Sequence, residues 1–337
     1  MDRMLAARLH VPTRSLRLEE VPRPQPGPGQ VLVKVEAAGV CLSDVHLIDG
    51  TLTPLFLREE SVTLGHEVSG TVAETGEGVS AWTPGQRVVL YAGETRDGAT
   101  YTRGVDYDGG WAEYALSAAD ALTLLPDTIP FEQGAIIPDA VSTPWGAITA
   151  TGDVRPAEAV GVWGVGGLGV HAVQLLRAMG ACPIVAVDPS RVARERALAA
   201  GADLALDSAD TDLRDRVRAV TTGLGLAAAF DFAGVPAVRE QALSVLAPKG
   251  RLVLVGLTDK PLTVTDGTRF SYLQQRILGH YGSDMPAALP QLLRLIQGGR
   301  LDFSASVSGV LPLAEAAEAV QRLERKEGDP VRLVLRP

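Results

Sequence analysis

Cysteine is nearly absent from this sequence: 337 residues hold two, Cys41 and Cys182. No disulfide framework can be built from so few, and a chain this long needs none to bury a core. Scarce cysteine suits a reducing compartment, where a thiol in a polar motif reads as a ligand or nucleophile rather than a crosslink partner. Basic clusters are missing too. With 31 Lys and Arg against 40 Asp and Glu, the formal net charge is −9. An acidic chain of this kind is a poor nucleic-acid binder. No run of eighteen apolar residues exists, so no membrane span is expected. The opening Met1-Asp2-Arg3-Met4 lacks the charged-then-apolar pattern of a signal peptide. Internal repeats and low-complexity tracts are also lacking. What remains is the expectation of a cytoplasmic globular protein, 46% hydrophobic and 21% charged, with a length that fits two domains.

Two textures follow one another along the chain. From Leu5 to about Leu125 the pattern is mostly strand, with short β-branched runs (Val31–Ala37, Val68–Val72, Val88–Leu90) between Gly and Pro signals. This part reads as an irregular, barrel-like antiparallel domain. The texture changes near Pro144. From Ala159 to about Gly282, apolar runs at 159–163, 184–187, 204–206, 228–232, 251–255 and 276–280 alternate with helical patterns at 168–179, 190–199 and 213–221. Alternation on this scale implies an α/β domain with a doubly wound parallel sheet. Two further helical patterns, 287–297 and 313–325, precede a last strand at 331–335.

The first apolar run of the second half leads into Gly164-Val165-Gly166-Gly167-Leu168-Gly169. Gly164, Gly166 and Gly169 make G-x-G-x-x-G between a strand and a helix. The first glycine permits the tight turn, the second lets a pyrophosphate approach the backbone, and the third packs helix on strand. The N–H groups and dipole at the helix N-terminus then hold phosphate. Asp188 ends the next strand, nineteen residues after Gly169. A carboxylate there accepts hydrogen bonds from the adenosine ribose and repels a 2′-phosphate, so NAD is favoured over NADP. Arg191 stands close by and leaves some tolerance of NADP.

Polar chemistry concentrates in two segments of the first half, Gly39-Val40-Cys41-Leu42-Ser43-Asp44-Val45-His46 and Leu64-Gly65-His66-Glu67-Val68-Ser69-Gly70. A thiolate and an imidazole are good zinc ligands, and a catalytic zinc needs three protein ligands and one open position. Cys41 and His66 are two candidates. Spacing alone leaves Asp44, His46, Glu67 and Asp139 open as the third.

Taken together, G-V-C-x-S-D-x-H, G-H-E-V-S-G, the Pro84-Gly85-Gln86-Arg87-Val88 turn and G-V-G-G-L-G resemble the zinc-dependent medium-chain alcohol dehydrogenases, in order and spacing, over essentially the whole chain. The resemblance implies a GroES-like catalytic domain over 1–144, a Rossmann cofactor domain over 145–282, and a return segment, 283–337, completing the first. It places one catalytic Zn²⁺ on Cys41, His66 and Asp139, the last where most relatives carry Cys. It gives Ser43 the alcohol proton, His46 the outer end of the proton relay, and Asp44 the orientation of the zinc-bound His. Glu67 matches an acid beside the metal that can swing in as a ligand. Thr143 matches a residue packed on the nicotinamide, and Arg332 one that contacts the pyrophosphate. NAD would lie along Gly164, Gly166, Gly167, Leu168 and Gly169, with Asp188 and Arg191 at its adenosine end. Many relatives hold a structural zinc on four cysteines. The corresponding stretch here, 92–110, has none, so that second zinc is not expected.

The implied activity is hydride transfer between NAD and a primary or secondary alcohol, giving an aldehyde or ketone. Leu42, Val45 and Leu47 near the relay point to a hydrophobic alcohol. The strand at 276–280 is expected at the sheet edge, which in the family pairs subunits into dimers or tetramers. Two rival readings are a zinc-free quinone or enone reductase of the same superfamily and a non-catalytic dinucleotide-binding protein.

Overall fold

Val31, Leu32, Val33 and Val35 alternate poorly because their strand, Gln30–Val40, is buried on both faces. In the computed structural model, which describes residues 2–96 and 98–337, this strand is the axis of the first unit. It pairs antiparallel with Val68–Thr75 along one edge. Its other edge takes Tyr114–Ala118 near the start and Arg332–Arg336 near the end. Arg87–Leu90 and Leu122–Leu124 extend the sheet on one side, and Val307–Pro312 on the other. A three-stranded sheet, Ser15–Pro22, Arg3–His10 and Ser61–Thr63, completes the β structure together with a hairpin at Gly93–Arg96 and Ala99–Thr102. Leu333 and Leu335 from the last strand share one core with Val31, Val33 and Val35. Each such fully buried side chain contributes about 1.5–3 kcal/mol. This unit therefore takes in the chain up to Ala140 and again from Asp284 to Pro337.

The segments 92–96 and 98–110 are organised around a cation. Arg103 is fully buried. It donates from Nε to the Tyr91 carbonyl (3.0 Å), from Nη1 to the Leu116 carbonyl (2.7 Å) and from Nη2 to Ser117 Oγ (3.1 Å). Glu94 lies 3.6 Å away, and the Tyr107 ring packs against the guanidinium. Burial pushes the Tyr107 phenol up to about 12.

The second unit is Val141–Ser283. Six parallel strands run in the order Leu204–Leu206, Ile184–Val187, Val160–Trp163, Leu226–Asp231, Leu246–Leu254 and Arg276–Gly279. Arg276–Gly279 is an edge strand, as expected. The order reverses between Val160–Trp163 and Leu226–Asp231, which makes that junction the topological switch point.

Most expected elements are present with ends shifted by a residue or two. The helix at 168–179 is Gly169–Ala178, and that at 190–199 is Arg191–Ala199, with the Ser190 hydroxyl accepting from the Ala193 N–H as N-cap. The mostly-strand reading of 5–125 passes over one short helix, Leu42–Asp49; another, Phe131–Ile136, follows beyond it. Pro236–Ser244 and Gly267–Tyr272 in the second unit also went unread. No helix among the described residues is long and apolar enough to cross a membrane.

Candidate metal centre and dinucleotide turn

Cys41 leaves the strand Gln30–Val40 and becomes the N-cap of the helix Leu42–Asp49. Asp44 closes that first turn: its Oδ2 accepts the Cys41 N–H at 2.9 Å. A carboxylate at this position satisfies one of the free N–H groups of a helix start. Ser43 and His46, three residues apart, lie on one face of the helix, both half-buried. Ser43 Oγ is 3.6 Å from Cys41 Sγ. His66 follows the short strand Ser61–Thr63 and is buried. Asp139 sits in a π-helical turn, Ile137–Val141, that prolongs the helix Phe131–Ile136. Such turns recur at functional sites because the extra residue re-aims side chains.

These elements bring Cys41, His66 and Asp139 together, with one ligand atom from each within 4.8 Å of the others. Asp139 Oδ2 is 3.2 Å from Cys41 Sγ and 3.4 Å from His66 Nε2. Of the four carboxylate or imidazole candidates for a third ligand, the structure groups Asp139 with the pair. Asp44 stands behind the imidazole instead, its Oδ1 at 3.8 Å from His66 Nδ1. A sulfur, a nitrogen and a carboxylate oxygen converging in a buried pocket fit a zinc ion. The orphaned Nδ1 of His66 facing Asp44 fits the arrangement that orients a metal-binding imidazole.

The charges in this pocket are strongly perturbed. Burial opposes protonation of His66, but Asp139, Cys41 and Asp44 outweigh it and raise its pKa well above the usual value. Burial raises the Asp44 carboxyl, against the pull of His66. Burial also pushes Glu67 up to about 8, countered by Arg332. Glu67 Oε1 accepts from the Ala140 N–H (3.0 Å) and from Arg332 Nη2 (2.9 Å). Arg332 is itself buried and lies 3.4 Å from Asp139 Oδ2. The guanidinium therefore has a task that the sequence did not announce: it holds both Glu67 and the third candidate ligand. Val45 and Leu47 belong to the hydrophobic core, so they say nothing about a substrate, and the expectation of a hydrophobic alcohol loses that support.

In the second unit, Val160–Trp163 runs into Gly164, whose φ is +83°. The helix Gly169–Ala178 follows with Leu168 as N-cap, a side chain that cannot accept a hydrogen bond. No side chain caps this start; the Val170 N–H turns back to the Gly166 carbonyl at 3.2 Å, and the helix dipole favours an anion beside the turn. A Cβ on Gly169 would lie 1.9 Å from the Gly164 carbonyl oxygen, so only glycine permits this helix to approach the turn. A Cβ on Gly166 would meet nothing within 4 Å. That open space beside the backbone is where a bulky phosphate group fits. Gly167 and Leu168 complete the turn.

Asp188 follows the strand Ile184–Val187. Its Oδ2 accepts the Val165 N–H at 2.7 Å, and Oδ1 accepts the Ser190 N–H at 2.8 Å. The carboxylate thus ties the glycine turn to the end of the next strand. Arg191 pairs with Glu195 on an exposed helix face. Arg194, which the sequence reading missed, donates to the Asp188 and Pro189 carbonyls and to Asp207 Oδ2, each at 2.8 Å. Thr143 is buried, and its carbonyl is 3.1 Å from His280 Nε2.

Residues 27–127 match the alcohol dehydrogenase GroES-like domain family, and residues 167–298 match the zinc-binding dehydrogenase family. The chain is 31% identical to an NDMA-dependent alcohol dehydrogenase of Amycolatopsis methanolica, over 98% of each chain. It is also 31% identical to an NAD-dependent alcohol dehydrogenase of Sulfurisphaera tokodaii, over 95% of this chain and 96% of the other. The crystal structure of 2R,3R-butanediol dehydrogenase from Bacillus subtilis is similar to it with a TM-score of 0.90 and 28% identity, over 99% of each chain.

Proposed function

The chain belongs to the zinc-type medium-chain alcohol dehydrogenases, and from that premise we propose that it interconverts a small alcohol with its aldehyde or ketone at a single zinc on Cys41, His66 and Asp139. The observation that carries the proposal is the convergence of those three side chains in one buried pocket. When bound, zinc supplies the Lewis acidity that lowers the pKa of a substrate hydroxyl, and NAD supplies the hydride acceptor.

The remaining residues have tasks of their own. Asp44, with Oδ1 at 3.8 Å from His66 Nδ1, would orient the ring with Nε2 on the side of Asp139. Ser43, 3.6 Å from Cys41 Sγ, receives the alcohol proton, and His46 on the same helix face passes it outward. Glu67 stays with Arg332 beside the ligands and tunes the charge of the pocket. Gly164, Gly166 and Gly169 hold the pyrophosphate, and Asp188 reads the adenosine ribose in favour of NAD. Two thiols and no disulfide suit a cytoplasmic setting. The edge strand Arg276–Gly279 provides the pairing surface of a homodimer or homotetramer.

The test combines zinc stoichiometry with NADH formation on a panel of alcohols. One zinc per chain and turnover on at least one alcohol are expected. Cys41→Ala should lose zinc and turnover while still binding NADH. Active protein without zinc would favour the quinone or enone reductase reading. Tight NAD binding with no turnover on any alcohol would favour a binding protein.

A further inference from the structure

A buried ion pair lies on the far side of the switch point from the adenosine end, outside every motif read from the sequence. Asp231 is the last residue of the strand Leu226–Asp231, opposite Trp163 in register, and is fully buried. Its Oδ2 accepts from Arg239 Nε at 2.7 Å, and its Oδ1 accepts the N–H groups of Ala233 and Gly234, both at 2.9 Å. Its own carbonyl accepts the N–H groups of Val255 (2.9 Å) and Gly256 (2.8 Å). Arg239, also buried, donates from Nη2 to the Gly256 carbonyl at 2.9 Å. One pair thus fastens two turns, 232–235 and 255–257, at the carboxyl ends of adjacent strands. The first turn abuts the glycine turn: a Cβ on Gly164 would lie 2.9 Å from the Ala233 nitrogen.

The position of these turns decides what they face. Gly164–Gly169 takes the pyrophosphate, and Asp188 marks the adenosine ribose on the Ile184–Val187 side of the central strand. A dinucleotide laid across a switch point places its other nucleoside over the strands on the opposite side. Those strands are Leu226–Asp231 and Leu246–Leu254.

We propose that Asp231 and Arg239 are positioning residues, which hold the turns 232–235 and 255–257 as the wall for the nicotinamide half of NAD. The inference rests on the NAD-binding reading above. The N–H groups of Ala233, Gly234, Val255 and Gly256 and the Gly256 carbonyl are all spent on the pair, so what the turns offer a flat ring is a surface whose shape lasts only while they are rigid. The pair supplies that rigidity from beneath, without touching the ligand.

The experiment compares two probes on the intact protein: NADH, and ADP-ribose, which has the same adenosine and pyrophosphate but no nicotinamide. Arg239→Met should weaken NADH binding about tenfold or more and lower kcat, while ADP-ribose affinity stays within about twofold. Arg239→Lys, which keeps the charge but reaches fewer of the acceptors, should fall between wild type and Arg239→Met, and its ratio of the two affinities serves if Arg239→Met does not fold. Equal weakening of both probes in either variant makes the pair a general brace and overturns the proposal; so does no change in either. Failure of the wild-type protein to bind NADH would remove the NAD reading itself, a result distinct from both.

Discussion

Arg332→Met tests the electrostatics of the metal pocket. The guanidinium is buried and serves Glu67 at 2.9 Å and Asp139 at 3.4 Å. Methionine fills similar volume but leaves both carboxyls without their cation. Removing one partner of a buried ion pair costs about 3–5 kcal/mol. Where in that range the loss falls depends on pH. In the metal-free protein, burial holds Glu67 up to about 8, with Arg332 pulling it down. A carboxyl whose folded pKa is raised contributes stability that is fully present below its unfolded value and is lost as pH rises through the folded value. Without Arg332 the folded value climbs further. At pH 7 Glu67 is largely protonated in both proteins, so the loss is mainly that of the cation facing Asp139 and stays near the lower end, about 3 kcal/mol. At pH 9 the wild-type carboxylate ionises beside its cation, whereas the variant must keep its proton or ionise alone. The loss then exceeds that at pH 7 by up to about 1.4 kcal/mol, the worth of one pKa unit.

The assay is urea unfolding of chelator-treated protein at both pH values, followed through the transition of the unit that contains Arg332. A loss below about 1 kcal/mol, the worth of an exposed pair, would refute the buried-pair account. An equal loss at pH 7 and pH 9 would refute the assignment of the pH dependence to Glu67.

Two other substitutions probe separate parts of the chain. Gly169→Ala places a methyl 1.9 Å from the Gly164 carbonyl oxygen and should remove NADH binding while leaving zinc stoichiometry intact; fluorescence titration showing retained affinity would mean that the helix can retreat without cost to the site. Arg103→Met removes the donor to the Tyr91 and Leu116 carbonyls and to Ser117 Oγ, which keeps its bond to the Ala121 carbonyl, so it should cost about 2–3 kcal/mol and expose 98–110 to limited proteolysis; an unchanged digestion pattern would show that another contact holds this segment.

The glycine turn was legible because its spacing reports on backbone shared by three consecutive elements, strand, turn and helix. The parallel strands were legible because burial on both faces leaves short apolar runs. Cys41 and His66 stood out by residue type. The residues alone could not choose Asp139 over its rivals, because a π-helical turn has no sequence signature and depends on how Phe131–Ile136 is packed. The helix Leu42–Asp49 was read through as strand, since eight residues between β runs give too little periodicity. Arg332, Arg194 and the Asp231–Arg239 pair were invisible as partners. Each acts through contacts set by topology rather than by spacing, and nothing near Arg332 in sequence points to Glu67 or Asp139.

The pocket around Cys41 also sets what metal binding must do to protons. Asp44, Glu67, Asp139 and a thiol share it with one permanent cation, Arg332, and with His66. Without a metal, the excess of acidic groups is relieved by protonation: His66 is raised well above its usual pKa, and Glu67 to about 8. Zinc ligands must be deprotonated: a thiolate, a neutral imidazole and a carboxylate. Binding therefore has to expel the proton that the carboxylates hold on His66 Nε2, and the arriving dication takes over the neutralising role that this proton performed. Zinc titration at pH 7 should release about one proton or more per ion, read as the dependence of calorimetric heat on the ionisation enthalpy of the buffer. Heats that are the same in phosphate and Tris would mean that His66 is already neutral in the metal-free protein. The carboxylates around it would then be balanced by Arg332 alone, which the distances to Glu67 and Asp139 make a heavy demand on a single guanidinium.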